Sequence, residues 1–68
     1  MNLESIIKFA EYHYGYTGWI AVDKDLKVWW FQDKPHINKK VWRAAWEHKL
    51  LCEKYTGDLF WEHTLTKL

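Results

Sequence analysis

The sequence predicts an α+β fold in which two helices pack on a small antiparallel sheet. Apolar residues recur at helical spacing between residues 3 and 14, and again between residues 39 and 55. Between these segments, two short runs rich in β-branched and aromatic residues flank a polar stretch at residues 23–25, as in a β-hairpin. The length of 68 residues is enough for a single domain, which we expect to span residues 1–68.

The first helix is predicted over residues 3–14. Asn2 can cap its N-terminus, and Glu4 and Lys8 are spaced to form a supporting ion pair on its surface. Gly15 follows the last periodic position, where a glycine commonly ends a helix. The apolar positions share one face of this helix: Leu3, Ile6, Ile7, Ala10 and Tyr14.

The hairpin is predicted over residues 19–31, with strands at residues 19–22 and 27–31. Asp23, Lys24 and Asp25 supply the turn. Side chains alternate between the two faces of a strand, so the second strand places apolar groups on both faces. Val28 and Trp30 lie on one face of the strand, and Trp29 and Phe31 lie on the other. A sheet covered on one face alone would therefore leave aromatic rings in water.

The second helix is predicted over residues 39–55, with Asn38 as its N-cap and Gly57 after its end. Its apolar arc joins two stripes, one of Val41, Ala45, His48, Cys52 and Tyr55 and one of Trp42, Trp46 and Leu50. The C-terminal tail, residues 58–68, has a pattern that fits either a third strand or a short helix, and we favour a third strand at residues 59–64.

Composition excludes several classes of function. Ten basic and nine acidic residues leave a net charge of +1, without the one-sided positive charge typical of nonspecific nucleic-acid binding. Cys52 is the only cysteine, so no intrachain disulfide can form, as in a protein of the cytoplasm. The sequence shows no membrane span, signal segment or nucleotide-binding or hydrolase motif, and we expect a protein without enzymatic activity or cofactor.

The aromatic content is the feature that points to a function. Six Trp, four Tyr and three Phe in 68 residues exceed what so small a core encloses easily. We expect roughly half of the tryptophans in the core and the rest at an interface, because tryptophan is enriched in binding hot spots. The predicted partner-binding residues are Trp29, Trp30, Trp42, Trp46 and Leu50. The same surface could join two copies of the chain in a homodimer.

Two alternatives stay open. Lys34, Lys39, Lys40 and Arg43 lie close to Trp42 in the sequence, and interleaved basic and aromatic residues are typical of proteins that bind single-stranded nucleic acid.

His48 and Cys52 would share one face of the second helix and could supply two zinc ligands, or Cys52 could be a reactive thiol. Two further ligands would have to come from His13, His36 or His63. We favour a core position for His48 and Cys52, because no paired metal-binding motif is present.

The chain also resembles small proteins encoded by tailed bacteriophages. The resemblance spans residues 19–65, on the hairpin sequence Ile-Ala-Val-Asp-Lys-Asp-Leu-Lys-Val-Trp-Trp-Phe, the pair Lys34-Pro35, Trp42 and the closing Trp-Glu-His-Thr-Leu. Those proteins often have glycine where this chain has Leu26, and serine where it has Thr64. The resemblance implies a protein of the bacterial host cytoplasm that binds and inhibits or redirects a host factor or a defence protein, and it assigns no site residues.

Overall fold

A computed structural model describes residues 2–68 and shows an α+β fold with one α-helix and a four-stranded antiparallel sheet. The elements are, in chain order, α1 (Leu3–Tyr14), β1 (Trp19–Val22), β2 (Val28–Phe31), β3 (His36–Asn38), β4 (Val41–Arg43), β5 (His48–Cys52), a short 3₁₀-helix (Trp61–His63) and β6 (Thr66–Lys67). The sheet has the strand order β5-β2-β1-β6, and β3 pairs with β4 in a separate hairpin. Among residues 2–68, no helix has the length and apolar content needed to cross a bilayer.

The first helix is confirmed with the predicted bounds. The Asn2 side chain accepts a hydrogen bond from the Ser5 backbone N–H at 2.9 Å, so it caps the helix as its sequence position indicates. Gly15 has a φ of 68°, and its N–H donates to the Glu11 carbonyl at 2.9 Å. The left-handed backbone at this position is one that glycine adopts without steric cost.

The β1–β2 hairpin is also confirmed, with a register that runs from Trp19 opposite Phe31 to Val22 opposite Val28. In its turn the Asp23 N–H donates to the Lys27 carbonyl at 2.9 Å. Leu26 has a φ of 71°, the left-handed position that glycine usually occupies in a three-residue hairpin loop.

The second helix predicted over residues 39–55 is wrong, because this segment forms β4, a loop and β5. Asn38 does not cap a helix but ends β3, opposite Val41. The intervening Lys39-Lys40 turn has a positive φ of 62° at Lys39 alone, the pattern of a type II′ turn. Glycine is the usual residue at that first position, and its absence hid the turn in the sequence.

β5 forms because β2 has a free edge for it to pair with. Leu50 lies opposite Trp29, and His48 lies opposite Phe31. One extra residue of β5 stands between the pairs Trp29–Leu50 and Val28–Cys52, which makes a β-bulge. This pairing joins residues distant in sequence, so long-range contacts override the helical periodicity.

The third strand preferred for residues 59–64 is also wrong. Trp61–His63 is a 3₁₀-helix, and the strand that extends the sheet is β6, which pairs with β1. Thr64 lies between the 3₁₀-helix and β6 and fixes the path of the chain there. Its buried hydroxyl accepts a hydrogen bond from the Val22 N–H at 2.8 Å and donates one to the Trp61 carbonyl at 2.7 Å. This one side chain ties the tail to β1 and ends the 3₁₀-helix.

Two apolar clusters lie on the two faces of the sheet. The helix-side face packs against α1, and its sheet residues are Ile20, Val22, Val28 and Trp30. The pocket-side face packs against β4 and the 3₁₀-helix, and its sheet residues are Trp19, Ala21, Trp29 and Phe31. The alternation of side chains in β1 and β2 produces both clusters, as the apolar pattern of the hairpin predicts.

Candidate functional site

A cavity opens on the pocket-side face between β4 and the sheet. Its volume is about 130 Å³, and we call it the aromatic pocket. Strand β2 contributes two rings, β4 contributes three consecutive residues and β5 contributes a histidine. These residues are Trp29, Phe31, Val41, Trp42, Arg43 and His48. The pocket therefore joins three strands that are separated along the chain.

The strand register fixes two walls of the aromatic pocket. Trp29 and Phe31 are alternate residues of β2 and project from the same face. His48 lies opposite Phe31 on β5, and its ring meets Trp29 edge to face, with 5.3 Å between the centroids. The histidine ring also lies 6.1 Å from the Phe31 ring. These ring contacts hold the aromatic walls in place.

Trp42 forms the third wall and is held by two hydrogen bonds. Its backbone N–H donates to the Asp23 carboxylate at 2.7 Å, and its indole N–H donates to the Trp61 carbonyl at 3.3 Å. Asp23 is itself buried. Burial raises the pKa of Asp23, and the hydrogen bond from the Trp42 backbone opposes that shift. The hairpin turn thus fixes the position of the pocket wall.

A basic groove continues from the aromatic pocket. It consists of two open depressions, of about 430 and 340 Å³, around β4 and the two hairpin turns. Val41 lines both depressions as well as the aromatic pocket. The turns are joined here, because the Lys24 N–H donates to the Lys40 carbonyl at 3.3 Å. The basic side chains of the groove are Lys24, Lys39, Lys40 and Arg43.

Four basic side chains line the basic groove, and one of them, Arg43, interacts with the buried Asp23 carboxylate: burial raises the pKa of Asp23, and the charge of Arg43 opposes that shift. Among residues 2–68, the ion pairs with a nitrogen–oxygen distance of 4.0 Å or less involve other lysines, namely Lys8, Lys27 and Lys49. Asp25, which lines one depression, is 4.0 Å from the Lys27 ammonium. The four basic side chains of the groove are exposed.

Exposed apolar side chains accompany the pocket. Trp46 lies in the loop between β4 and β5 and is 66% exposed. Leu50 lies opposite Trp29 on the outer strand β5 and is 41% exposed. Leu50 belongs to β5, the strand that supplies His48 to the pocket, and Trp46 lies in the loop that joins the two pocket strands β4 and β5.

The five predicted partner-binding residues fall into two groups. Trp29 is half-buried in the pocket wall, and Trp46 and Leu50 are exposed. Trp30 and Trp42 are buried, at 7% and 8% exposure. Their burial corrects the expectation that both rings are exposed anchors for a partner.

Trp30 belongs to the helix-side face. Its ring stacks on Tyr14 at 4.4 Å, and its indole N–H donates to the Thr17 carbonyl at 3.1 Å. Gly18 leaves room for this indole, because a Cβ at Gly18 would overlap the Trp30 ring nitrogen. Trp30 is thus a core residue with its polar group satisfied.

The predicted basic cluster is brought together only in part. Lys39, Lys40 and Arg43 meet in the basic groove. Lys34 lines none of the three cavities described here, and its ammonium lies over the Trp19 ring at 5.6 Å. Lys24 joins the cluster unpredicted, because only the contact between the two turns places it there.

The hypothesis of a zinc or thiol site rested on one helical face shared by His48 and Cys52, and this premise is wrong. The β-bulge puts His48 on the pocket-side face, opposite Phe31, and Cys52 opposite Val28 on the helix-side face. Among residues 2–68, no three His, Cys, Asp or Glu side chains are grouped closely enough to hold a metal ion. The Cys52 thiol lies 3.4 Å from the Lys54 carbonyl.

Three pocket residues were not among the predicted partner-binding residues, namely Phe31, Val41 and His48, and His48 was predicted only as a possible metal ligand. The alternation of Trp29 and Phe31 in β2 was a usable signal, because it places both rings on one face. Val41 and His48 could not be placed without the strand pairing. Comparisons with protein-family models, with curated proteins and with solved structures found no match.

Proposed function

We propose that this chain is a small non-catalytic protein-binding module that acts through its pocket-side surface. The observation that carries the proposal is a cavity for one side chain with exposed apolar residues beside it. Trp29 lines the cavity, Leu50 lies opposite Trp29 on the neighbouring strand, and Trp46 is exposed in the loop that precedes that strand. Protein interfaces have this composition, with a hot-spot residue of one partner seated in a pocket of the other.

The rigidity of the pocket supports the proposal. The two hydrogen bonds of Trp42 and the ring contacts of His48 hold the walls before any partner arrives. A pre-formed pocket loses little conformational entropy on binding, which favours affinity. The helix and the loop after it offer no equivalent, because Tyr12 and Tyr16, although exposed, line none of the three cavities described above.

The biological setting that we propose follows from the resemblance over residues 19–65. It is that of a phage-encoded inhibitor or modulator, which binds a host or defence protein in the bacterial cytoplasm. Stoichiometric binding through an aromatic surface suits such a role, because occluding a partner's surface requires no chemistry.

Single-stranded nucleic acid is the second candidate partner, and the basic groove is the observation in its favour. Lys39, Lys40 and Arg43 adjoin an aromatic pocket, as in proteins that stack bases and hold phosphates. The net charge of +1 and the separate position of Lys34 over Trp19 argue against a long phosphate track. We therefore rank it below a protein partner.

Affinity capture from a bacterial lysate tests the proposal. The immobilised wild type is compared with the double variant Trp46→Ala/Leu50→Ala, which changes only exposed side chains and should keep the fold. The matched control is Tyr12→Ala/Tyr16→Ala, which removes two exposed rings from α1 and the loop after it, away from the residues that line the pocket. We expect a protein captured in stoichiometric amount by the wild type and the control, and lost with the double variant. Capture of the same protein in equal amount by the wild type and the Trp46→Ala/Leu50→Ala variant would contradict the proposal.

Light scattering on the same proteins distinguishes a foreign partner from a second copy of this chain. The proposal expects a monomer whose mass none of these variants changes. A wild-type dimer that the Trp46→Ala/Leu50→Ala variant dissolves, with its circular dichroism intact, would assign the surface to self-association instead.

A further inference from the structure

The volume and charge of the pocket-side surface define the partner segment more closely. We infer, on the basis of the proposed function, that the aromatic pocket and basic groove receive a protein segment with one apolar anchor, the size of leucine or phenylalanine, flanked by carboxylates. The anchor enters the pocket, and the carboxylates lie over the basic groove. The volume of the aromatic pocket and the charge of the basic groove support this inference independently.

The volume of the aromatic pocket selects a single side chain. At about 130 Å³ it is close to the apolar cavity of about 150 Å³ that holds one benzene ring. Pockets for cofactors and drug-sized ligands are larger, about 300–1,000 Å³. A nucleoside needs room for a sugar as well as a base. The cavity therefore fits the ring or branched end of one amino-acid side chain.

The basic side chains beside the aromatic pocket favour acidic residues on either side of that anchor in the partner segment. Arg43 lines both the aromatic pocket and the basic groove, so a carboxylate adjacent to the anchor would meet its guanidinium first. Arginine binds carboxylates through two parallel hydrogen bonds, which also fix their orientation. Lys24, Lys39 and Lys40 lie farther along the groove and carry charge for a second or third acidic residue.

The turn between β3 and β4 adds to this charge. Lys39 has a φ of 62°, in a position where glycine would be relaxed. A lysine at this position strains the backbone and places an ammonium group at the tip of the turn, beside the basic groove.

Peptide titrations followed by ¹H–¹⁵N NMR test the inference. The probe is an acetylated, amidated Glu-Asp-Phe-Asp-Glu peptide, compared with the versions Glu-Asp-Ser-Asp-Glu and Lys-Lys-Phe-Lys-Lys and with single-stranded oligothymidylate. We expect the acidic phenylalanine peptide to shift the indole signal of Trp29 and the amide of Arg43. The indole signal of Trp30, on the helix-side face, should not move, and higher salt should weaken binding moderately.

Variants separate the charge from the fold. Arg43→Gln should weaken binding of the acidic phenylalanine peptide about tenfold, the scale of one charge-assisted hydrogen bond. Lys39→Gly should weaken it several-fold while raising the thermal midpoint of the protein, so its loss of binding cannot come from unfolding. Lys8→Gln removes an exposed positive charge from α1 and should leave binding unchanged.

Each contrary outcome is distinct. Equal binding of the serine peptide would overturn the apolar anchor, and equal binding of the lysine peptide would overturn the acidic flanks. Binding of oligothymidylate alone, with steep salt dependence, would assign the groove to nucleic acid. No shift with any peptide at millimolar concentration would overturn the inference, whereas lysate capture that depends on Trp46 and Leu50 would leave the proposed function standing.

Discussion

The helix-side face of the sheet is sealed by α1, whereas the pocket-side face is covered by a short hairpin and a 3₁₀-helix that leave a cavity of about 130 Å³. Both faces are built from the same two strands. On the first, Ile20, Val22 and Val28 have no exposed surface. On the second, Trp29 stays half-buried and Leu50 is exposed. The helix-side face is thus closed, whereas the pocket-side face leaves apolar groups open to solvent, as the proposed binding function requires.

The largest expected effect comes from truncating the sealed face. Ile20→Ala removes a fully buried side chain next to α1 and should lower the free energy of unfolding by about 2–5 kcal/mol. Val41→Ala, in the wall of an existing cavity, should lower it by about 1 kcal/mol or less, because Val41 is only half-buried. Urea unfolding followed by circular dichroism measures both. Equal losses would show that the two faces contribute alike to stability.

The next effect concerns the side chain that ties the tail to the sheet. Thr64→Val keeps the shape but leaves the buried Val22 N–H without its acceptor, which should lower the free energy of unfolding by about 1–3 kcal/mol. Thr64→Ser keeps the hydroxyl and is the matched control. Thermal unfolding of the two variants should separate them clearly. If the serine variant loses as much as the valine variant, packing of the methyl group and not the hydrogen bond holds the tail.

A gain in stability is expected at the turn of the first hairpin. Leu26 has a φ of 71°, and a left-handed backbone costs a residue with a Cβ about 1–2 kcal/mol. Leu26→Gly removes this strain but gives the unfolded chain about 0.4–1 kcal/mol of extra entropy. The free energy of unfolding should therefore rise by about 0.5–1 kcal/mol in a urea titration. A loss would mean that packing of the Leu26 side chain outweighs the strain.

The smallest effect is a pH dependence in the wall of the pocket. Burial raises the pKa of Asp23 above its usual 3.8, so the folded protein favours the protonated form more than the unfolded chain does. The contribution of Asp23 to stability is therefore complete below pH 3.8 and is lost as pH rises through the folded-state pKa.

Asp23→Asn tests this sign. The amide oxygen can still accept from the Trp42 N–H, but the side chain no longer ionises. The difference in unfolding free energy between variant and wild type should shift in favour of the variant as pH rises through that range. Urea titrations of both proteins at a series of acidic pH values measure it. A difference that moves the other way would place the Asp23 pKa below its usual value.

The sequence predicted the parts of the fold whose signals are local. Asn2 and Gly15 mark the ends of α1, and the polar residues from Asp23 to Asp25 mark the first hairpin turn even though Leu26 replaces the expected glycine. The prediction for residues 39–55 was wrong because a local signal was missing. The turn before β4 has Lys39 where glycine is usual, so no local signal interrupted an apolar pattern that suits a helix.

The sequence predicted only those residues of the candidate site that lie in the first hairpin or in a run of basic residues. Trp29 follows from the hairpin, and Lys39, Lys40 and Arg43 are neighbours in sequence. His48 joins Trp29 only through the pairing of β5 with β2, which connects residues far apart along the chain. The burial of Trp30 and Trp42 likewise depends on which face each ring meets after folding.

The most direct test of the binding assignment is site-specific photo-cross-linking in bacterial cells. A photoreactive phenylalanine analogue replaces Trp46 in one protein and Tyr12 in another, so that it samples the pocket-side surface and the outer face of α1 in turn. We expect a cross-link to one foreign protein from position 46 and none from position 12. Cross-links to that protein from position 12 alone would contradict the proposed function, because they would assign partner binding to the helix instead of the aromatic pocket.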